Sequence, residues 1–182
     1  MQQKTDQELL ALMRGGSQKA FAELYRRYRS GLYAFCFRLL GNRDEAEDAV
    51  HETFARLAAS GASIAEPRAL KAWLYRVARN EGLMGRRHNG ATGDADSVWA
   101  EDTPQSIAER ADTRSLVREA MERLRVEYRE VLLLREFEGM TYDEITEVTG
   151  ASPASVKSRL FRARRALAGL LENVRNEERN MQ

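Results

Sequence analysis

Between Phe21 and Leu39 the side chains of Phe21, Leu24, Tyr25, Tyr28, Leu32, Phe35 and Leu39 recur at steps of three and four residues. Only a helix, at about 3.6 residues per turn, gathers residues so spaced onto one side; a strand alternates every two. No segment of the chain shows that alternation with β-branched residues, so the expected fold class is all-α. Punctuation then divides the helical sequence. Thr5-x-x-Glu8, Asn42-x-x-Glu45 and Thr141-x-x-Glu144 each have the form of a capping box, in which the first side chain accepts a bond from an otherwise unpaired N–H and the acid returns one. Ser17 is a further cap. Gly15-Gly16, Gly41 and Gly150 are stops, and Gly31 is expected to kink the long second helix.

These signals arrange the chain in two helical domains. In the first, residues 5–87, a short amphipathic helix carrying Leu9, Leu10, Leu12 and Met13 precedes the long one. A third helix buries Val50, Phe54 and Leu57 and turns Asp44, Glu45, Glu47, Asp48 and Glu52 outward, and Pro67 suits the first turn of a fourth that runs to about Arg87. Residues 88–104 lose the periodicity, are polar and glycine-bearing, and read as a flexible linker with Val98 and Trp99 its only bulky apolar groups. The second domain, 105–174, is expected to hold a helix opened by Thr103-Pro104 and ending near Arg125, another over 127–137, a short one ending at Thr149-Gly150, and a last one from Ala154 to about Val174. In that last helix Val156, Leu160, Ala163, Leu167 and Leu170 face inward.

Several function classes are excluded by content. No run of about 18 apolar residues exists to span a bilayer, and the N-terminus lacks the basic-then-apolar pattern of a secretory signal. One cysteine, Cys36, and two histidines form neither a disulfide framework nor a zinc cluster. Nucleophile-elbow, phosphate-loop and metal-spaced motifs are absent, so no catalytic residue and no cofactor is expected. The expected location is the cytoplasm. Net charge is only +1, but it is unevenly spread: six bases and two acids over 61–90, one base and six acids over 91–112, five bases and no acid over 150–170. Two basic blocks around an acidic one suit two polyanion-facing surfaces, or equally a pair of solvated helix faces.

The third block decides more. A short capped helix, a glycine able to take positive φ, a second cap at Ser152 and a basic helix are the parts of a helix-turn-helix. Ala154, Ser155, Lys157 and Ser158 stand at the start of the second helix, the end that reaches base edges in a major groove. Lys157, Arg159, Arg162, Arg164 and Arg165 spread around it, so only some would reach bases while others would touch phosphates; the alternative is a helical hairpin with a solvated basic face.

Glu127 to Leu171, EYREVLLLREFEGMTYDEITEVTGASPASVKSRLFRARRALAGLL, resembles region 4 of a bacterial extracytoplasmic-function (group 4) sigma factor, with VKSRLFRARRAL its most specific part. In the other half, Phe21 to Leu57 resembles regions 2.1–2.2, and KAWLYRVARNEG, Lys71 to Gly82, resembles regions 2.3–2.4. Both matches stand in family order and omit only the linker and the tail after Val174.

The resemblance implies a factor that brings core RNA polymerase to promoters and opens the −10 DNA, with no chemistry of its own. It implies that Asp48, His51 and Glu52 face the β′ coiled coil, His51 standing where the family commonly has glutamine. Lys71, Arg76, Arg79 and Asn80 would hold the −10 single strand, the cations along its backbone and Asn80 at a flipped base; the loop Ser63 to Arg68 would shape that pocket, and Met84 occupies a place where aspartate is common. For the −35 duplex, Lys157, Ser158 and Arg162 would approach bases, and Tyr142, Arg159, Arg164 and Arg165 phosphates, with Phe161 either at a thymine methyl or packed inward. The β flap would meet the Val131, Leu132, Leu133, Leu134 run, or core packing accounts for it. Trp73 belongs to the core stripe rather than to stacking. Leu124-Arg125 replaces the family's usual Leu-Pro. An anti-sigma factor is a further implied partner, and no direct membrane insertion is implied. Two other classes stay open on the residues alone: a stand-alone helix-turn-helix regulator, and a helical adaptor whose basic helix binds an acidic protein.

Overall fold

A computed structural model describes residues 4–60, 69–89 and 107–181. Its helices are α1 (Asp6–Arg14), α2 (Gln18–Leu40), α3 (Arg43–Ser60), α4 (Leu70–Asn89), α5 (Ile107–Arg123), α6 (Val126–Leu132), α7 (Tyr142–Thr149) and α8 (Pro153–Met181). Among the described residues there is no strand. The caps form as their spacing demands. Thr5 and Glu8 exchange both bonds of a capping box, as do Thr141 and Glu144; Ser17 accepts from the Ala20 N–H, Asn42 from Glu45 and Ser152 from Ser155. Gly41 and Gly150 end α2 and α7 in the left-handed conformation, φ 73° and 68°.

Three expectations change. Gly31 does not break α2, which runs through it uninterrupted; a Cβ there would lie 2.8 Å from the Tyr75 hydroxyl, so this glycine serves the close approach of α4. The helix expected over 127–137 is α only to Leu132 and continues as a π turn, Leu133–Phe137. α8 extends past Val174 to Met181. Pro67, the 63–68 loop, Val98, Trp99 and Thr103-Pro104 lie outside the described residues.

The two helical domains pack against each other. One apolar cluster runs from Leu9 and Leu10 of α1, through Phe35 and Leu39 of α2 and Leu74 and Ala78 of α4, to Leu133, Ile145, Val156 and Leu160 of the second half. α4 packs on α7, and α2 on both α6 and the π turn. The Val131–Leu134 run is wholly buried in this cluster, so those four side chains offer no surface to a flap: apolar burial, not docking, explains the run.

Arg129 ties the halves at their backbone. Its buried guanidinium donates to the carbonyls of Met121, Glu122 and Leu124 at the end of α5, and to Leu39 at the end of α2. Carbonyls in the last turn of a helix lack intrahelical donors and carry the negative end of its dipole. A single cation thereby satisfies two helix ends from the two halves, and these acceptors make its own burial tolerable.

Candidate functional site

In α8 the buried Val156, Leu160, Ala163 and Val174 define one side. At about 100° per residue the opposite side carries Ala154, Ser158, Phe161 and Arg165, flanked by Arg162 and Lys157; all six are exposed. Phe161 is 63% exposed, which settles its direction: it stands outward among the basic residues. The Gly150 turn is braced by Thr149, whose hydroxyl donates to the Ile145 carbonyl at 2.7 Å and accepts from the Ala151 N–H at 3.3 Å. α7 and α8 are thus held at a set angle, with the start of α8 projecting.

The remaining three residues expected at this surface are already engaged. Arg164 bonds Glu136 Oε1 at 2.7 Å, an exposed pair that exchanges readily because such pairs contribute only about 0–1 kcal/mol. Tyr142 is half-buried, with the Arg135 guanidinium 5.1 Å above its ring. Arg159 is turned to the buried side of the helix and helps hold the charge of Glu130.

α4 divides its four candidates in the same way. Arg76 and Asn80 are exposed, and Asn80 Oδ1 accepts from Arg79 at 3.1 Å. Lys71 and Arg79 lie with Tyr75 on a stripe of four-residue steps that faces the second half. Lys71 Nζ donates to the Glu138 carbonyl, the Tyr75 hydroxyl to the Glu138 carboxylate, and Arg79 to the Glu130 carboxylate. Burial pushes the Glu130 carboxyl above the usual carboxylate range, while Arg79 beside it pulls the other way. Burial and then the Glu138 charge raise the Tyr75 phenol. Trp73 packs partly buried against the core, as its stripe suggests.

On α3, Asp48 and His51 form an exposed ridge between two depressions. One is lined by Tyr25, Arg29, Tyr33 and Glu47; the other by Glu45, Glu52, Glu81 and Met84. Glu52 is paired with Arg56 at 3.0 Å. Met84 is 58% exposed, a soft apolar group on an otherwise acidic groove, where its flexible thioether can adapt to a partner surface. Tyr25, read from spacing as an inward residue, keeps 38% of its surface exposed; it packs on Phe54, ring centroids 4.6 Å apart, and lies under Arg29. The period of α2 marks its face but not where that face ends, so Tyr25, Arg29 and Tyr33 were missed as neighbours of Asp48. Cys36 is buried, which pushes its thiol up to about 12. Among the described residues no group of acids, histidines and cysteine could hold a metal, and no helix is long and apolar enough to cross a membrane.

The family model described as Sigma-70 region 2 matches residues 24–92, and Sigma-70, region 4, matches residues 114–167. The RNA polymerase sigma-H factor of Pseudomonas aeruginosa is 28% identical, with 96% of this chain and 98% of that protein covered. The ECF RNA polymerase sigma-E factor of Escherichia coli is 29% identical, with 91% and 94% covered. Among solved structures, CnrH in complex with the cytosolic domain of CnrY is similar at TM-score 0.69 and 25% identity, covering 92% of this chain and 97% of that one. The sigma factor RpoE in complex with the anti-sigma factor NepR, from Bartonella quintana, is similar at TM-score 0.70 and 27% identity, covering 85% and 98%.

Proposed function

The chain belongs to the extracytoplasmic-function group of the sigma-70 family, transcription initiation factors that direct core RNA polymerase to promoters, and on that premise we propose how its residues divide the work. The −35 duplex is read by the exposed side of α8: Lys157, Ser158 and Arg162 at base edges, Phe161 against a thymine methyl, Arg165 on phosphates, with Arg164, Arg159 and Tyr142 at the margins. The observation that carries this is the solvent face of α8, where exposed bases stand around Phe161 and no acid lies between Pro153 and Leu171. Bidentate pairing to bases contributes about 1–3 kcal/mol of discrimination each, over a salt-dependent phosphate background.

Residues 5–87 serve polymerase binding and −10 melting, 88–104 join the halves, and 105–174 serve the −35 element. Lys71, Arg76 and Arg79 track the −10 single strand and Asn80 reads a flipped base; amide groups offer both a donor and an acceptor for that purpose. Asp48, His51 and Glu52 face the β′ coiled coil, with the Met84 groove alongside. The factor works in the cytoplasm and has no catalysis of its own. An anti-sigma factor controls it, a reading supported by the anti-sigma complex of the Bartonella relative.

Multi-round transcription on fragmented genomic DNA, with core polymerase plus or minus this protein, tests the reading. New transcripts with defined starts, aligned upstream, yield its promoter. Sequence-specific duplex binding without transcripts would instead favour a stand-alone regulator.

A further inference from the structure

His51 crests the acidic side of α3. It is exposed, and with Asp48 it borders both depressions beside that helix. The groups around it come from three helices. On α3 itself, Glu47 and Asp48 stand one turn back and exposed, and Glu52 follows it in the chain. From α2, Tyr25, Arg29 and Tyr33 line the first depression, the Arg29 guanidinium lying 5.8 Å over the Tyr25 ring. The second depression holds Glu45 of α3 and Glu81 of α4. Arg56 bonds Glu81 at 2.8 Å and Glu52 at 3.0 Å. Carboxylates thus dominate both sides of the ridge, and a surface of that sign pairs with a partner that brings cations. Imidazole is the one side chain among these whose charge ordinarily changes between about pH 5 and 8. Neutral, it can share a hydrogen bond across the contact and leaves the attraction of the carboxylates intact. Protonated, it sets a positive charge beside Asp48, which both offsets the acids and repels the incoming cations.

We propose that His51 makes the engagement of core polymerase proton-sensitive: the docked state excludes the imidazolium, so the chain binds core tightly when His51 is neutral and loosely when it is charged. The proposal rests on the reading that this face of α3 meets core polymerase. Linkage fixes the sign and bounds the size. A proton held by the free chain but not by the complex must leave on docking, so affinity falls as pH falls, by at most about tenfold per pH unit for one group. The −35 face should not respond in the same way, because α8 contains no histidine. His88, the other histidine of the chain, is common to every protein compared below, so its contribution cancels.

The test measures the affinity of the full chain for core polymerase from about pH 5.5 to 8, as wild type, His51→Gln and His51→Lys. Each profile is read relative to its own value at the alkaline end, so titrations of the polymerase itself drop out of the comparison. The −35 duplex of a promoter mapped by the transcription experiment is titrated with the same proteins as a second ligand. Toward acid, wild type should lose at least about threefold more core affinity than His51→Gln, within the linkage limit for one proton. His51→Lys, permanently charged, should bind core weakly throughout and show no such extra loss, and all three should bind the −35 duplex alike at each pH. Parallel core-binding profiles for wild type and His51→Gln overturn the proposal, as does tighter binding by wild type in acid. Asp48→Lys tests the premise separately. If it leaves core affinity unchanged, this face of α3 is not the core interface, and the proposal falls with that reading. If it weakens core binding while the wild-type and His51→Gln profiles stay parallel, the proposal alone falls.

Discussion

Replacing Arg129 with methionine keeps most of the side-chain volume and removes the donors from four backbone carbonyls, those of Leu39, Met121, Glu122 and Leu124. A buried acceptor left without a donor costs about 1–3 kcal/mol, which over four would reach about 4–12 kcal/mol. Two effects reduce this. Carbonyls at helix ends can turn toward water, and the variant no longer desolvates a guanidinium. The net cost then falls near the value for breaking up a buried, bonded charge, about 3–5 kcal/mol, a large share of the 5–15 kcal/mol that roughly bounds the stability of a native protein. In a chain of this size each kcal/mol shifts the melting temperature by about 2–4 °C, so a fall of about 6–20 °C is expected by calorimetry. Arg129→Lys, with one compact ammonium, cannot span both helix ends and should fall between the two. Urea unfolding of the three proteins measures the same ordering. A loss below about 1 kcal/mol for Arg129→Met would refute the view that this cation satisfies the ends of α2 and α5.

Gly31→Ala should destabilise: the added Cβ lies 2.8 Å from the rigidly held Tyr75 hydroxyl, and overpacking of about 1–3 kcal/mol exceeds the helix-propensity gain of about 1 kcal/mol; thermal melts read the sign. Tyr28 and Tyr75 both have raised phenol pKa values, chiefly from burial. The folded chain then keeps protons that the unfolded chain releases above about pH 10, so the stabilisation is full below that pH and is lost as pH rises beyond it. Urea midpoints between about pH 9 and 11, the span around a free phenol pKa, should decline less in Tyr75→Phe than in wild type. Arg162→Ala should reduce −35 duplex affinity by about 1–3 kcal/mol while sparing core-polymerase binding. Asp48→Lys should do the reverse, weakening core binding in a pull-down and leaving the isolated −35 duplex unaffected.

The helices and the exposed basic face of α8 were legible in the chain because their causes are local. Thr5 and Thr141 reach an N–H three residues on, Gly150 ends α7 through its own φ, and the buried stripe of α8 recurs within each turn, so a short window of sequence holds the whole cause. The two-domain division was legible for the same reason, through the loss of that periodicity. What only the tertiary structure decided concerns pairs far apart in sequence. Glu130 and Glu138 look like ordinary solvated acids, yet they meet Arg79 across 51 residues and Tyr75 across 63. Lys71 and Arg76 look alike in sequence, but one is taken up and the other is free to solvent. The Val131–Leu134 run carries no mark of whether a partner or the protein itself will cover it. A charge or an apolar residue states what it needs, but which distant group supplies that need depends on how whole helices pack, and the packing energy is shared among many side chains rather than carried by any one of them.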